Sequence, residues 1–379
     1  MKAFINANVY IHGKGIIKTN LYFDDKIVAI GDEKISAEVI SLPDDAIVCP
    51  GFIDEHIHGA DGFDAMDGTI EALNGIANAI KKEGVTSFLP TTMTESKEKI
   101  KKALEVIGEF AESENDGARA IGAHLEGPFI SKAFCGAQDS KYILSPSVSD
   151  FEEFYKASKG HISLVTYAPE NDNGEFVKKL TELNVTVGAG HTNAKYEDIV
   201  KGVENGLNCV IHTYNVQSPL HHREVGVVGS ALLIDELYTE CICDGVHISI
   251  PAIKLLIKNK PKDKFILVSD AMRAKNLPDG ESELGGQKVI VKKGEARLEN
   301  GALAGSVLTM NKAIENVVNK CGVKLEDAID FASLNPAKNL NIADKYGSIE
   351  VGKVSDFAIL DKEFNVLKTI KSGKTIYEK

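Results

Sequence analysis

The segment GFIDEHIHGADGFDAMDGTIEALNGIANAIKKEGVTSFLP (residues 51–90) decides the fold. It opens on a short apolar run, FIDEH (52–56), crosses glycine-rich punctuation into the helical pattern IEALNGIANAIKKEG (70–84), and returns to a second apolar run, VTSFL (85–89). Two short strands separated by a helix of this length predict a parallel pair joined by a right-handed crossover. The same grammar continues downstream. Further strands are predicted at ARAIGAHL (118–125), ISLVTY (162–167), NVTVGA (184–189), NCVIH (208–212), YTECIC (238–243) and KFILVSD (264–270). Helical patterns lie between them, among them SKEKIKKALEVIGEFAES (96–113), GEFVKKLTEL (174–183) and PAIKLLIKN (251–259). Eight strand–helix units predict an α/β fold, a closed (β/α)8 TIM-like barrel over residues 51–347.

The flanks read differently. The first fifty residues are short strands with turn punctuation (AFINANVYI, GIIKTNLYF, KIVAIG, DAIVCP), and the tail from Ile349 returns to strands and glycine turns. Residues 1–50 and 348–379 are therefore expected to form one small β-sandwich domain. The stretch LGGQKVIVKKGEARLENGALAG (284–305) reads as a hairpin inserted before a final helix at TMNKAIENVVNKCG (309–322).

Composition excludes several classes of function. A net charge of −12 over 379 residues, with no basic stripe, argues against a nucleic-acid partner, although a few local cations suffice for a small anionic substrate. The six cysteines form no CxxC pair, as expected of buried thiols kept reduced. The start MKAFINANVYIH lacks the pattern of a signal peptide, and no apolar run reaches membrane-spanning length, so a soluble cytoplasmic protein is expected.

Barrel enzymes carry their chemistry at the C-terminal ends of the strands. In this chain those ends hold His56 and His58 on one face of strand one, Glu126 after strand three, His191 after strand five, His212 at the end of strand six and Asp270 at the end of strand eight. Four imidazoles and two carboxylates on one rim suit Zn²⁺, Fe²⁺ or Mn²⁺, with Zn²⁺ the first expectation. His124, two residues before Glu126, points the same way and is expected to play a structural or supporting role. No phosphate-binding glycine loop is present, which leaves His221-His222-Arg223 as the best candidate for holding an anion.

The order of these residues resembles the amidohydrolase superfamily. The segments PGFIDEHIHG (50–59), HLEGPF (124–129), GHTNA (190–194), HTYNVQSPLHHREVG (212–226), DGVH (244–247), SDAMRAKNLPDG (269–280) and LAGSVLTMN (303–311) narrow the resemblance to its N-acetylglucosamine-6-phosphate deacetylase family. The resemblance implies that Glu126, His191 and His212 hold a principal divalent ion, that His56 and His58 serve a second position with Glu126 bridging, and that Asp270 is the general acid/base. It further implies a sugar-phosphate site lined by Ala137, Gln138, Asn215, Val216, His222, Arg223, Asp244, His247, Leu303, Ala304 and Gly305, and a homodimer in which Arg223 reaches the neighbouring subunit's site. Some relatives carry His where this chain has Gln138, and Asp where it has Asn311. The implied reaction is hydrolysis of an acetamide on a sugar phosphate. The epimeric N-acetylgalactosamine 6-phosphate and a catalytically silent binding protein are the competing readings.

Overall fold

The computed structural model describes residues 1–379. Nine short stretches of chain between Phe52 and Val268 run parallel. Six pair in sequence (Ala123–Glu126, Ile162–Tyr167, Thr186–Ala189, Cys209–Val210, Tyr238–Ile242, Phe265–Val268), and three form a second group (Phe52–Ile57, Val85–Pro90, Arg119–Ala120). Every residue of Phe52–Ile57 and Val85–Pro90 is buried, which is why these strands read as unbroken apolar runs rather than alternating ones. Parallel bridges link the two groups at both seams, Thr91 to His124 and Ile57 to Ala271.

Two strands depart from expectation. The predicted strand 118–125 is split at Ile121-Gly122, where Gly122 has φ +138° and a Cβ would stand 2.0 Å from the Ser163 hydroxyl. The predicted strand 208–212 pairs only at Cys209–Val210, because His212 turns into a left-handed conformation (φ +30°) and leads the chain out of the sheet.

Helices follow the crossovers. Ile70–Ile80 and Lys97–Ala111 begin where the Thr69 and Ser96 hydroxyls accept the amide protons of Ala72 and Lys99. Met310–Asn316 continues into a wider turn at Val317–Cys321 and is not the final helix, since Leu325–Ala332 and Leu334–Asn339 follow. The expected hairpin at 284–305 is instead a three-stranded antiparallel sheet, Gly280–Leu284, Gln287–Lys292 and Glu295–Leu298. Two left-handed glycine turns, Gly285-Gly286 and Gly294, reverse the chain twice.

The chain ends form one eight-stranded sheet. Ile47–Pro50 joins Lys2–Ile11 on one side and Phe357–Leu360 on the other, pairing Cys49 with Ala358. The rings of Phe4, Phe23 and Phe357 lie 5.0 to 6.0 Å apart and centre a separate core. The six cysteines are all unpaired. No helix is long and apolar enough to cross a membrane.

Candidate active site

The parallel strands end in a ring of polar side chains. His191, His212 and Asp270 each adopt positive φ (+47°, +30° and +46°) directly after a strand. That backbone costs about 1–3 kcal/mol per non-glycine residue and persists only where the surroundings enforce it. Here neighbouring strand ends supply the enforcement: the Asp270 amide donates to the His56 carbonyl at 2.8 Å, and the Ser306 amide to the Asp270 carbonyl at 2.7 Å.

Glu126 stands at the centre. Its Oε1 lies 3.1 Å from His212 Nε2, 3.3 Å from His191 Nε2 and 3.4 Å from His56 Nε2, while Oε2 lies 3.4 Å from His58 Nε2. Asp270 Oδ1 is 3.4 Å from His58 Nε2 and 3.6 Å from His56 Nε2. All four rings thus turn the same nitrogen inward. The outward nitrogens of three of them are tied down: His56 Nδ1 to Glu240 Oε2 at 2.9 Å, His58 Nδ1 to the Thr91 carbonyl and His191 Nδ1 to the Phe134 carbonyl, both at 3.2 Å. Protonation at Nδ1 leaves the Nε2 lone pairs facing one another and two carboxylates.

This arrangement fits a divalent cation. Imidazole nitrogen and carboxylate oxygen are its usual donors, and the buried His56 Nε2 has no hydrogen-bond partner. Two groups of three donors, His56 with His58 and Glu126, and Glu126 with His191 and His212, each lie within 4.8 Å. Charge points the same way. Burial raises the Glu126 carboxyl, but His56, His191 and His212 outweigh it and hold the group well below its usual range. Burial lowers His56, but Glu240, Asp270 and Glu126 outweigh it and hold the ring well above its usual value. The cluster therefore demands positive charge, which protons or a metal ion can provide.

A cleft opens above the cluster. His58, Glu126, His191, His212 and Asp270 form its floor, with His56 fully buried beneath. Of the residues expected at the substrate, Ala137, Gln138, Asn215, Val216, His247, Leu303 and Gly305 line its walls. Asp244 stands behind, its Oδ2 2.7 Å from His247 Nδ1. Ala304 turns away: it is buried under the inserted sheet, and its amide donates to the Ala296 carbonyl at 3.1 Å. His222 and Arg223 are exposed and lie outside this chain's cleft, with Arg223 Nη1 2.9 Å from His222 Nε2.

Gln138 has a definite task. Its amide nitrogen donates to Glu126 Oε2 at 2.7 Å, and its oxygen accepts the Thr94 amide proton at 2.6 Å. The side chain braces Glu126. His124 is buried with Nε2 2.7 Å from the Thr166 hydroxyl, and its ring packs edge-on at 4.5 Å from His56. Burial, with His56 adding to it, keeps that ring well below its usual pKa and so neutral. Asn311 donates to the Phe364 carbonyl at 3.1 Å, a contact with the chain end.

Sequence reasoning missed Met93 and Leu284 on the cleft wall and Glu240 beneath it. Only Glu240 left a trace, as a lone carboxylate in the otherwise uncharged strand YTECIC (238–243).

Comparison with known proteins agrees with this geometry. The chain matches the amidohydrolase family over residues 47–376. It is 37% identical over 377 residues to an N-acetylglucosamine-6-phosphate deacetylase of Bacillus subtilis (strain 168), covering 96% of this chain and 95% of that one. It is 33% identical over 351 residues to an N-acetylgalactosamine-6-phosphate deacetylase of Escherichia coli O157:H7, covering 91% and 93%. The crystal structure of the N-acetylglucosamine-6-phosphate deacetylase from Pasteurella multocida superposes with a TM-score of 0.93 at 31% identity, over all of both chains. The chain belongs to the amidohydrolase family, among its N-acetylglucosamine-6-phosphate deacetylases.

Proposed function

We propose that this protein hydrolyses the acetamide of N-acetyl-D-glucosamine 6-phosphate to D-glucosamine 6-phosphate and acetate, a step of amino-sugar catabolism. The observation that carries the reading is the convergence of four imidazole Nε2 atoms on Glu126 and Asp270, at the floor of an open cleft. The framework is a closed (β/α)8 barrel over 51–347, supported by the bridges at both seams. A small β-sandwich domain from 1–50 and 348–379 accompanies it, supported by the shared terminal sheet and its own core.

Glu126, His191 and His212 would hold the principal ion, and His56 and His58 a second, with Glu126 between them. Zn²⁺ is the first candidate, and Fe²⁺ or Mn²⁺ suits the same donors. Such an ion would supply Lewis-acid polarisation of the amide carbonyl and bring the pKa of water down toward about 7. The protein's own groups do the rest. Burial raises the Asp270 carboxyl, but His56, His58 and His212 outweigh it and hold the group below its usual range, as the carboxylate. Asp270 takes the proton from the attacking water and delivers it to the departing glucosamine nitrogen, which otherwise leaves poorly. His247, braced by Asp244, is the side chain on the cleft wall suited to the carbonyl oxygen. Asn215 and the backbone around Val216 and Leu303 to Gly305 orient the sugar. The exposed Arg223 serves the phosphate of the partner's site in a cytoplasmic homodimer, the guanidinium fork matching a phosphate, and His222 binds the same sugar phosphate.

Acetate release from N-acetylated glucosamine and galactosamine, each with and without 6-phosphate, tests the reading. We expect N-acetylglucosamine 6-phosphate to be the best substrate. Preference for the galacto epimer would move the assignment to the reaction named for the Escherichia coli relative, and no acetate from any sugar with Zn²⁺, Fe²⁺ or Mn²⁺ supplied would sink it.

A further inference from the structure

Glu240 sits on Tyr238–Ile242 with no exposure to solvent. Removing an ionised carboxylate from water costs several kcal/mol, and an apolar side chain would pack this strand without that cost. Glu240 makes no ion pair with lysine or arginine, and its Oε1 has no hydrogen-bond partner. Its Oε2, in contrast, accepts two bonds, from His56 Nδ1 at 2.9 Å and from the His212 backbone amide at 3.1 Å. These two residues come from different strands and belong to different donor groups of the cluster.

We propose that Glu240 is a positioning residue for the metal centre, orienting the His56 ring and the strand end at His212 through a single oxygen, so that both halves of the donor cluster share one support. The inference rests on the two-position reading given above. By accepting the Nδ1 proton, Glu240 fixes the tautomer whose lone pair is on Nε2, 3.4 Å from Glu126 Oε1. A carboxylate behind an imidazole also makes the ring a stronger ligand. His56 is singled out in this respect: His58 and His191 are backed by backbone carbonyls, and His212 Nδ1 by nothing.

The test uses the full chain and metal as the probe. Zn²⁺ and Mn²⁺ are titrated against a competing chelator into the parent, Glu240→Gln, His56→Ala and the double variant, with elemental analysis and the melting temperature of each metal-free protein. Glutamine keeps the volume and an oxygen able to accept both bonds, and loses only the charge. We expect the Glu240→Gln protein to keep one ion at parental affinity and to bind the second about 10–100-fold more weakly. The double variant should lose no more than His56→Ala. Parental affinity for both ions in Glu240→Gln overturns the inference, as does a lower melting temperature with both affinities unchanged. A parent chain that takes up only one ion overturns the two-position reading and this inference with it. The parent alone offers a second readout by proton–nitrogen NMR. A slowly exchanging proton on His56 Nδ1 is expected, and a ring protonated at Nε2 alone in the metal-free protein overturns the assignment.

Discussion

Asp270 shares with Glu126 a place beside the HxH pair and the cleft. It faces both the HxH pair and the cleft, in a backbone conformation that strand ends on either side impose. Replacing it by asparagine removes the proton acceptor while keeping size and polarity. Turnover by Asp270→Asn should fall about 10²–10⁴-fold with substrate binding largely kept. Steady-state kinetics with a separate binding measurement checks this, and near-parental kcat would remove Asp270 from proton transfer. At this scale the site was readable because its chemistry is written in residue type: histidines and carboxylates placed where apolar runs end. What could not be read was the support behind them. Glu240 and Thr91 touch their histidines only across strands, at sequence separations of 184 and 33. Gln138 shows the same limit, since its bond to Glu126 depends on how a loop folds back.

The strand Phe52–Ile57 and the residues directly after it carry two of the cluster's four imidazoles, and their geometry leaves no slack. A Cβ on Gly59 would stand 2.2 Å from the Phe63 carbonyl oxygen and 2.9 Å from the Arg273 nitrogen, both backbone atoms. Gly59→Ala should therefore shift the strand end at His58, destabilise the fold by about 1–3 kcal/mol or more, and weaken metal uptake. Chemical denaturation with elemental analysis would read both effects, and an unchanged unfolding midpoint would contradict this account. Strand and helix existence was legible at this scale because the apolar period reports burial directly. Boundaries were less so. The break at Gly122 and the early exit at His212 arise from close packing against neighbouring elements, which local pattern does not encode. The inserted sheet was half read: its glycine turns were visible, but the strand at Gly280–Leu284 is mostly exposed and polar, and so looks like loop.

For the whole molecule, the exposed Arg223 outside its own cleft makes a prediction that only an assembly can meet. Asp270→Asn and Arg223→Ala should each be poorly active alone. In the proposed homodimer, co-expression would give mixed dimers with one site that has its own Asp270 and a partner's Arg223, so activity on the phosphorylated sugar should return to a substantial fraction of the parent's. Failure of complementation with both chains in one dimer would place Arg223 in service of its own subunit. A second whole-molecule prediction concerns the join between the terminal sheet and the rest. Lys371 donates to the Asn115 and Gly117 carbonyls, each at 2.6 Å, and burial, helped by Arg119, pushes its pKa down to about 8. The unfolded chain holds that proton up to about 10.4, so between these values the unfolded state binds more protons and stability rises with pH. Relative to Lys371→Gln, the parent's melting temperature should gain as pH goes from about 7.5 to 9.5. A difference independent of pH would contradict the shift.

By itself the sequence determined the succession of strands and helices, the apolar core and the polar residues at strand ends, because each of these follows from local periodicity and side-chain chemistry. Tertiary structure alone decided that four imidazoles turn the same nitrogen toward Glu126, that Glu240 bonds both the His56 ring and the His212 backbone amide, that Ala304 faces the core and that Arg223 does not line its own cleft. Those outcomes depend on distances between strands far apart in the chain and on backbone conformations that neighbours enforce. A linear pattern carries no measure of either.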